Sequence, residues 1–148
     1  MKKIFINTDG GSRGNPGPAG IGIVFFDENE KEIHSYKKFI GIATNNEAEY
    51  GAIVEALKIA VKSDWFEKNN GNGGEIVCRL DSQLVVEQLC GRYKIKQPHI
   101  RAFVDEIKSL LVQFHLKISF IHVRREQNKR ADELVNLALD AELKTDKI

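Results

Sequence analysis

The amino-acid sequence predicts an α/β fold, a mixed sheet covered by helices on both faces. Two observations carry this. Short apolar runs separated by turn residues crowd the chain before Thr44, and beyond it helical and strand periodicity alternate. Strands met in succession pair antiparallel, whereas strands separated by a helix return parallel. A chain with both patterns builds a mixed sheet.

The first run, KKIFINT, is apolar on both faces at IFI and belongs at the sheet centre. GIGIVFF and KEIHSYKKFIGIA follow as a hairpin about the polar turn DENE. From Asn46 the period becomes 3.6, with Ala48, Ala52, Ile53, Ala56, Leu57 and Ala60 on one face, and TNNE in capping-box form just ahead. This predicts a helix of about four turns ending near Lys62. KNNGNGG reads as a loop and EIVCRLD as a buried strand ending in an acid. SQLVVEQLCG is a short helix stopped by Gly91. Pro98 opens the next helix, whose stripe is Ile100, Phe103, Val104, Ile107, Leu110 and Leu111. LKISFIHV returns to strand, and NKRADELVNLALDAEL forms the last helix.

A length of 148 residues suits one domain spanning 1–148. Hydrophobic content of 42% and charged content of 29% fit a soluble protein, and no apolar stretch approaches the ~20 residues of a membrane span. Without a secretory signal pattern at the start, a cytoplasmic location is expected. Cys78 and Cys90 lack metal-ligand spacing and are expected to be reduced and buried. The net charge of +1 hides an asymmetry: residues 92–130 hold ten Lys/Arg against three acids, +7, which leaves −6 for the rest. A polyanionic partner suits that distribution, and so do solvated helix faces.

Four acids occupy positions that local structure explains unevenly. Asp9 and Asp81 each end an apolar strand, Glu49 shares the inward helical face with Ala52, Ile53 and Ala56, and Asp132 lies early in the last helix. Turn chemistry accounts for Asp9 and Asp81 singly, and the helix dipole accounts for Asp132. Neither accounts for Glu49, because an unpaired inward carboxylate is costly. Clustered carboxylates repel unless a cation sits among them, and hard oxygen donors with few histidines select Mg²⁺ or Mn²⁺. The loop GGSRGNPG after Asp9 lacks the lysine and Ser/Thr of a phosphate-binding P-loop, and a strand rather than a helix follows it.

Together TDGGSRGNPGPAG, TNNEAEYGAIVEAL, LDSQLVVEQL and NKRADELVN closely resemble the motifs of type 1 ribonuclease H, in the same order and over residues 3–141. The resemblance implies a ribonuclease H-like fold with a five-stranded mixed sheet, three antiparallel N-terminal strands and two further parallel ones, flanked by helices. It implies endonucleolytic, two-metal hydrolysis of the RNA strand of RNA–DNA hybrids, giving 5′-phosphate and 3′-hydroxyl ends. The family carboxylates fall on Asp9, Glu49, Asp81 and Asp132, holding two Mg²⁺ ions, with Mn²⁺ as substitute. Asp9 is expected to bridge the ions, Asp132 to help hold the one that activates water, and Glu49 and Asp81 the one facing the leaving oxygen.

Substrate contacts carry over to Gly10, Gly11, Asn15, Asn45 and Gln83 on the RNA strand, and to Thr44 and Asn15 on a DNA phosphate. Capping is the competing role for Asn45 and Asn46. The basic, tryptophan-bearing insertion of many bacterial members is missing from CGRYKIKQPHI, where Lys94 and Lys96 remain as substrate-binding cations beside Arg92. The loop before the last acid is short. Arg125, seven residues before Asp132, takes the auxiliary catalytic position, with His122 on the strand as the alternative, and Asn128 reads as the last helix's cap. The expected partner is the RNA–DNA hybrid alone, with a monomeric protein and no membrane. Competing readings are a non-catalytic hybrid-binding module and another metal nuclease of the same broad fold.

Overall fold

The computed structural model describes residues 1–145. Strand β1 (Lys3–Ser12) lies in the middle of a five-stranded sheet. On one side it pairs antiparallel with β2 (Gly17–Phe26), which pairs antiparallel with β3 (Glu32–Ala43). On the other side β4 (Glu75–Leu80) runs parallel to β1, and β5 (Lys117–His122) runs parallel to β4. The order β3-β2-β1-β4-β5 is the expected mixed sheet, with the doubly apolar IFI segment at its centre. KKIFINT understates β1, which continues through Gly10 and Gly11 because both pair with β2. The turn between β2 and β3 closes on Asp27, whose Oδ1 accepts the N–H groups of Asn29 and Lys31.

Helix α1 (Asn45–Val61) follows β3. Its capping box is formed by Thr44 and Glu47, and Lys62 caps the other end. All six residues of the expected apolar face are buried. Burying Ile53 and Leu57 against Ile6, Ile21 and Ile23 contributes about 1.5–3 kcal/mol for each side chain. Ser63 then caps α2 (Asp64–Asn69), a helix that the sequence reading leaves out. Its six residues are too few for a periodic stripe; it buries only Phe66 and Asn69.

Helices α3 (Gln83–Leu89) and α4 (Pro98–Leu111) complete the layer that includes α1. A 3₁₀ turn (Arg125–Gln127) leads into α5 (Lys129–Thr145), which packs on β1, β2 and β3. Its seat is made by glycine: a Cβ on Gly22 would lie 2.2 Å from the Ala131 carbonyl oxygen. Cys78 is buried, its thiol pushed up to about 12 by that burial, but Cys90 is exposed, contrary to expectation, because it caps α3 at the surface. Among the described residues no helix is long and apolar enough to cross a membrane.

Candidate active site

The parallel pairing of β1 with β4 ends at Thr8 opposite Leu80. Asp9 and Asp81 are the next residues, Asp81 just past the end of β4 but Asp9, contrary to expectation, still within β1 because its pairing with β2 runs on to Ser12; the point where β1 and β4 part therefore delivers two acids side by side. This is also where the sheet changes from antiparallel to parallel neighbours, the crevice in which α/β sheets bind ligands. Glu49 reaches the same point from the second turn of α1. That approach needs Gly10, because a Cβ there would stand 2.3 Å from the Ala48 carbonyl carbon and 2.6 Å from the Glu49 nitrogen.

Asp9, Glu49 and Asp81 each offer a carboxylate oxygen within 4.8 Å of the others. Asp9 is 6% and Glu49 7% exposed, Asp81 is half-buried, and one oxygen of Glu49 is buried without a hydrogen-bond partner. These features fit a divalent cation: hard oxygen donors, clustered like charges and a buried acceptor oxygen with no partner. Asp132 stands outside the triad, exposed on the α5 wall, yet near enough to raise the pKa of Asp9. Three carboxylates gather mutually, and the fourth meets them on the Asp9 side rather than converging with all three.

Burial, more than any neighbour, pushes Asp9 up to about 7 from the ordinary 3.8; a hydrogen bond with Glu49 opposes the shift, and Asp81 and Asp132 add to it. Glu49 is raised well above its ordinary value, first by burial and then by the Asp9 charge. The native pair therefore holds protons that the unfolded chain releases. The stability this gives is fully present below the ordinary carboxylate range and is lost as pH rises through about 7. In EDTA the melting temperature is expected to fall between pH 5 and pH 8, and Mg²⁺ should raise it more at pH 8, where protons no longer compete for the oxygens. A metal-free melting temperature climbing over that interval would contradict the assignment.

A cavity of about 480 Å³ surrounds the triad and is lined by Gly10, Gly11, Asn45, Asp132 and Arg125 of the expected residues. Arg125 rides on the 3₁₀ turn, while His122 is exposed at the end of β5 and does not line the cavity. Asn15 lies beyond the rim, where its Oδ1 accepts the Asn45 N–H at 3.0 Å, next to a cis Asn15–Pro16 bond. Asn45 in turn accepts from Ser12, so the glycine loop is tied to the start of α1. Thr44 is occupied as the α1 cap, and Gln83 is exposed at the start of α3. Lys94 and Lys96 line a separate cavity of about 340 Å³ with Arg101 and Lys108.

Sequence reasoning missed several residues. Arg13 lines the acidic cavity and binds Asp140 at 2.7 Å and Asn136 at 3.3 Å on α5. Arg79 is held between the rings of Phe5 and Phe26, with centroids at 4.2 and 5.4 Å, and donates to Asn7 at 2.6 Å. The Asn128 carbonyl does accept the Asp132 N–H at the start of α5, but its side chain does not cap; it turns to Thr8 and Asp81. An arginine inside the apolar run IVCRL was the available signal for Arg79; Arg13 depends on contacts across more than a hundred residues, and Asn128 on partners 120 and 47 residues away.

A family model described as reverse transcriptase-like matches residues 7–138. Ribonuclease HI of Halobacterium salinarum is 40% identical over 138 residues, covering 93% of this chain and 65% of that protein. A bifunctional protein of Mycobacterium tuberculosis is 41% identical over 140 residues, but the chain spans only 36% of its length. Among solved structures, the compost-derived LC11-RNase H1 superimposes with a TM-score of 0.85 at 42% identity, covering 97% of this chain and 99% of that one. A second structure of LC11-RNase H1, in complex with an RNA/DNA hybrid, matches with the same TM-score. Sheet order, acidic cleft and these likenesses agree on one class, the α/β fold of ribonuclease H. The chain belongs to the type 1 ribonuclease H family.

Proposed function

We propose that the protein cuts the RNA strand of RNA–DNA hybrids endonucleolytically, with two divalent ions, Mg²⁺ or Mn²⁺ in its place, held by Asp9, Glu49, Asp81 and Asp132. The observation that carries this is the gathering of Asp9, Glu49 and Asp81 within 4.8 Å, two of them buried, where the pairing of β1 with β4 ends. Such ions supply charge: they neutralise the anionic phosphodiester and make a water acidic enough to attack near neutral pH. No Lys or Arg pairs with any of the three among the described residues, so once they are ionised no side-chain cation offsets their mutual repulsion.

The rest of the chain orients the duplex. Gly10 and Gly11 present backbone without side chains to the cavity, so an RNA strand approaches the carboxylates closely. Asn45, Asn15 and Gln83 supply amide groups for 2′-hydroxyls and base edges, the chemistry that separates RNA from DNA. Thr44 and Asn15 serve a phosphate of the DNA strand. Arg125 places a permanent cation at the cavity wall, suited to a phosphate beside the scissile one and to product release. Lys94 and Lys96 extend the contact along the backbone and take the place of the longer basic insertion. The LC11-RNase H1 complex with an RNA/DNA hybrid supports this substrate class.

The experiment is a hybrid whose strands carry different labels, incubated with Mg²⁺. The RNA strand is expected to shorten into pieces with 5′-phosphate and 3′-hydroxyl ends while the DNA strand stays whole. A cut DNA strand, or 2′,3′-cyclic phosphate ends, would overturn the proposal.

A further inference from the structure

Asn128 is 1% exposed and sits where three elements meet. Its Nδ2 donates to the Thr8 carbonyl at 2.9 Å and to Asp81 Oδ2 at 3.4 Å, and its own carbonyl accepts the Asp132 N–H at 3.1 Å. One residue thus touches the strand position before Asp9, the Asp81 carboxylate and the first turn of the helix bearing Asp132. Its Oδ1 makes no hydrogen bond, so the side chain does not cap α5.

We propose that Asn128 is a positioning residue that holds the Asp81 carboxylate toward Asp9 and Glu49, so that a divalent ion meets a preformed cluster. Asp81 is half-buried and faces two acidic neighbours; left alone, it would rotate toward water. A donor on Oδ2 opposes that rotation and leaves Oδ1 for the ion, as the outer partners of metal-ligating carboxylates do. An amide does so without adding charge. The second hydrogen of the same nitrogen, on the Thr8 carbonyl, fixes the donor to the central strand, so its direction does not depend on the loop around it.

The inference rests on the reading of these carboxylates as an ion site, and it is tested by Mn²⁺ binding measured calorimetrically with no nucleic acid present. Asn128→Ala is expected to weaken Mn²⁺ binding by roughly 10–100-fold, and to weaken it no further in a protein already carrying Asp81→Asn. Asn128→Ser, too short to span both acceptors, repeats the comparison should the alanine variant fail to fold. The control is Asn7→Ala, which removes the Asn7 Nδ2 contact to the Gln127 carbonyl, a second tether of the same segment, along with the Arg79 bond to Asn7 Oδ1, and touches none of the four site carboxylates. It should lower the melting temperature and leave the Mn²⁺ dissociation constant within about twofold. Equal weakening in both single variants, or additive effects of Asn128→Ala and Asp81→Asn, overturns the role of Asn128. Failure of the wild type to bind Mn²⁺ instead overturns the ion site on which the role depends.

Discussion

Asp9→Asn is expected to cut hybrid cleavage at saturating Mg²⁺ by about a thousandfold or more, while the metal-free protein melts no lower than the wild type. The two effects have one cause. Asp9 is buried beside Glu49, Asp81 and Asp132, and burial, with the charges of Asp81 and Asp132 added to it, drives its pKa up to about 7. An amide at the same place removes a buried acid that the apo fold tolerates poorly, so stability does not suffer. It also removes one of the negative charges that would hold the ions, and a loss of about 4 kcal/mol in transition-state stabilisation corresponds to a thousandfold. Single-turnover cleavage and calorimetric melting on the same preparation separate the outcomes. Activity within tenfold of wild type would sink the assignment of Asp9, and a large fall in melting temperature would mean the carboxylate is structural.

Gly22→Ala carries the largest expected cost in stability. A Cβ at Gly22 would lie 2.2 Å from the Ala131 carbonyl oxygen and 2.9 Å from Leu134 Cβ, both on α5 and neither at the end of a flexible side chain. The helix has to move off the sheet. Overpacking of this kind costs about 3 kcal/mol, which for a chain of this size lowers the melting temperature by roughly 10 °C. Because Asp132 follows Ala131 on that helix, cleavage measured well below the melting point should fall as well. Gly51→Ala is the comparison: it lies within α1, its nearest neighbour is Ile40 Cδ1 at 4.0 Å, and alanine favours helix by about 1 kcal/mol. A Gly22→Ala protein as stable as Gly51→Ala would contradict the close seating of α5.

Features written in local pattern were legible in the sequence. The central strand announced itself by apolar residues on both faces, α1 by its helical stripe and TNNE box, and Asp9 and Asp81 by an acid directly after an apolar run, although β1 runs on past Asp9 to Ser12. Glu49 could be found because an inward carboxylate on an alanine-rich face has no local explanation. Asp132 needed the motif around it, and the structure leaves it exposed beside the triad rather than within it. Helix α2 was invisible because six residues carry no period, and the exposure of Cys90 because a cysteine's burial depends on what packs beside it. Asn128 looked like a helix cap, and its backbone behaves as one; where its amide points is decided by Thr8 and Asp81, 120 and 47 residues away in sequence. Local pattern placed the carboxylates proposed as ligands. The contacts of the side chain proposed to aim them are set by tertiary structure.

The most direct test compares cleavage of matched RNA–DNA, RNA–RNA and DNA–DNA duplexes across a titration of Mg²⁺ and Mn²⁺. The account predicts no cutting of any duplex in EDTA, cutting of the hybrid's RNA strand that rises with either ion, and an intact DNA–DNA duplex throughout. Equal cutting of DNA–DNA, or cleavage of the hybrid that persists without divalent ions, would contradict it.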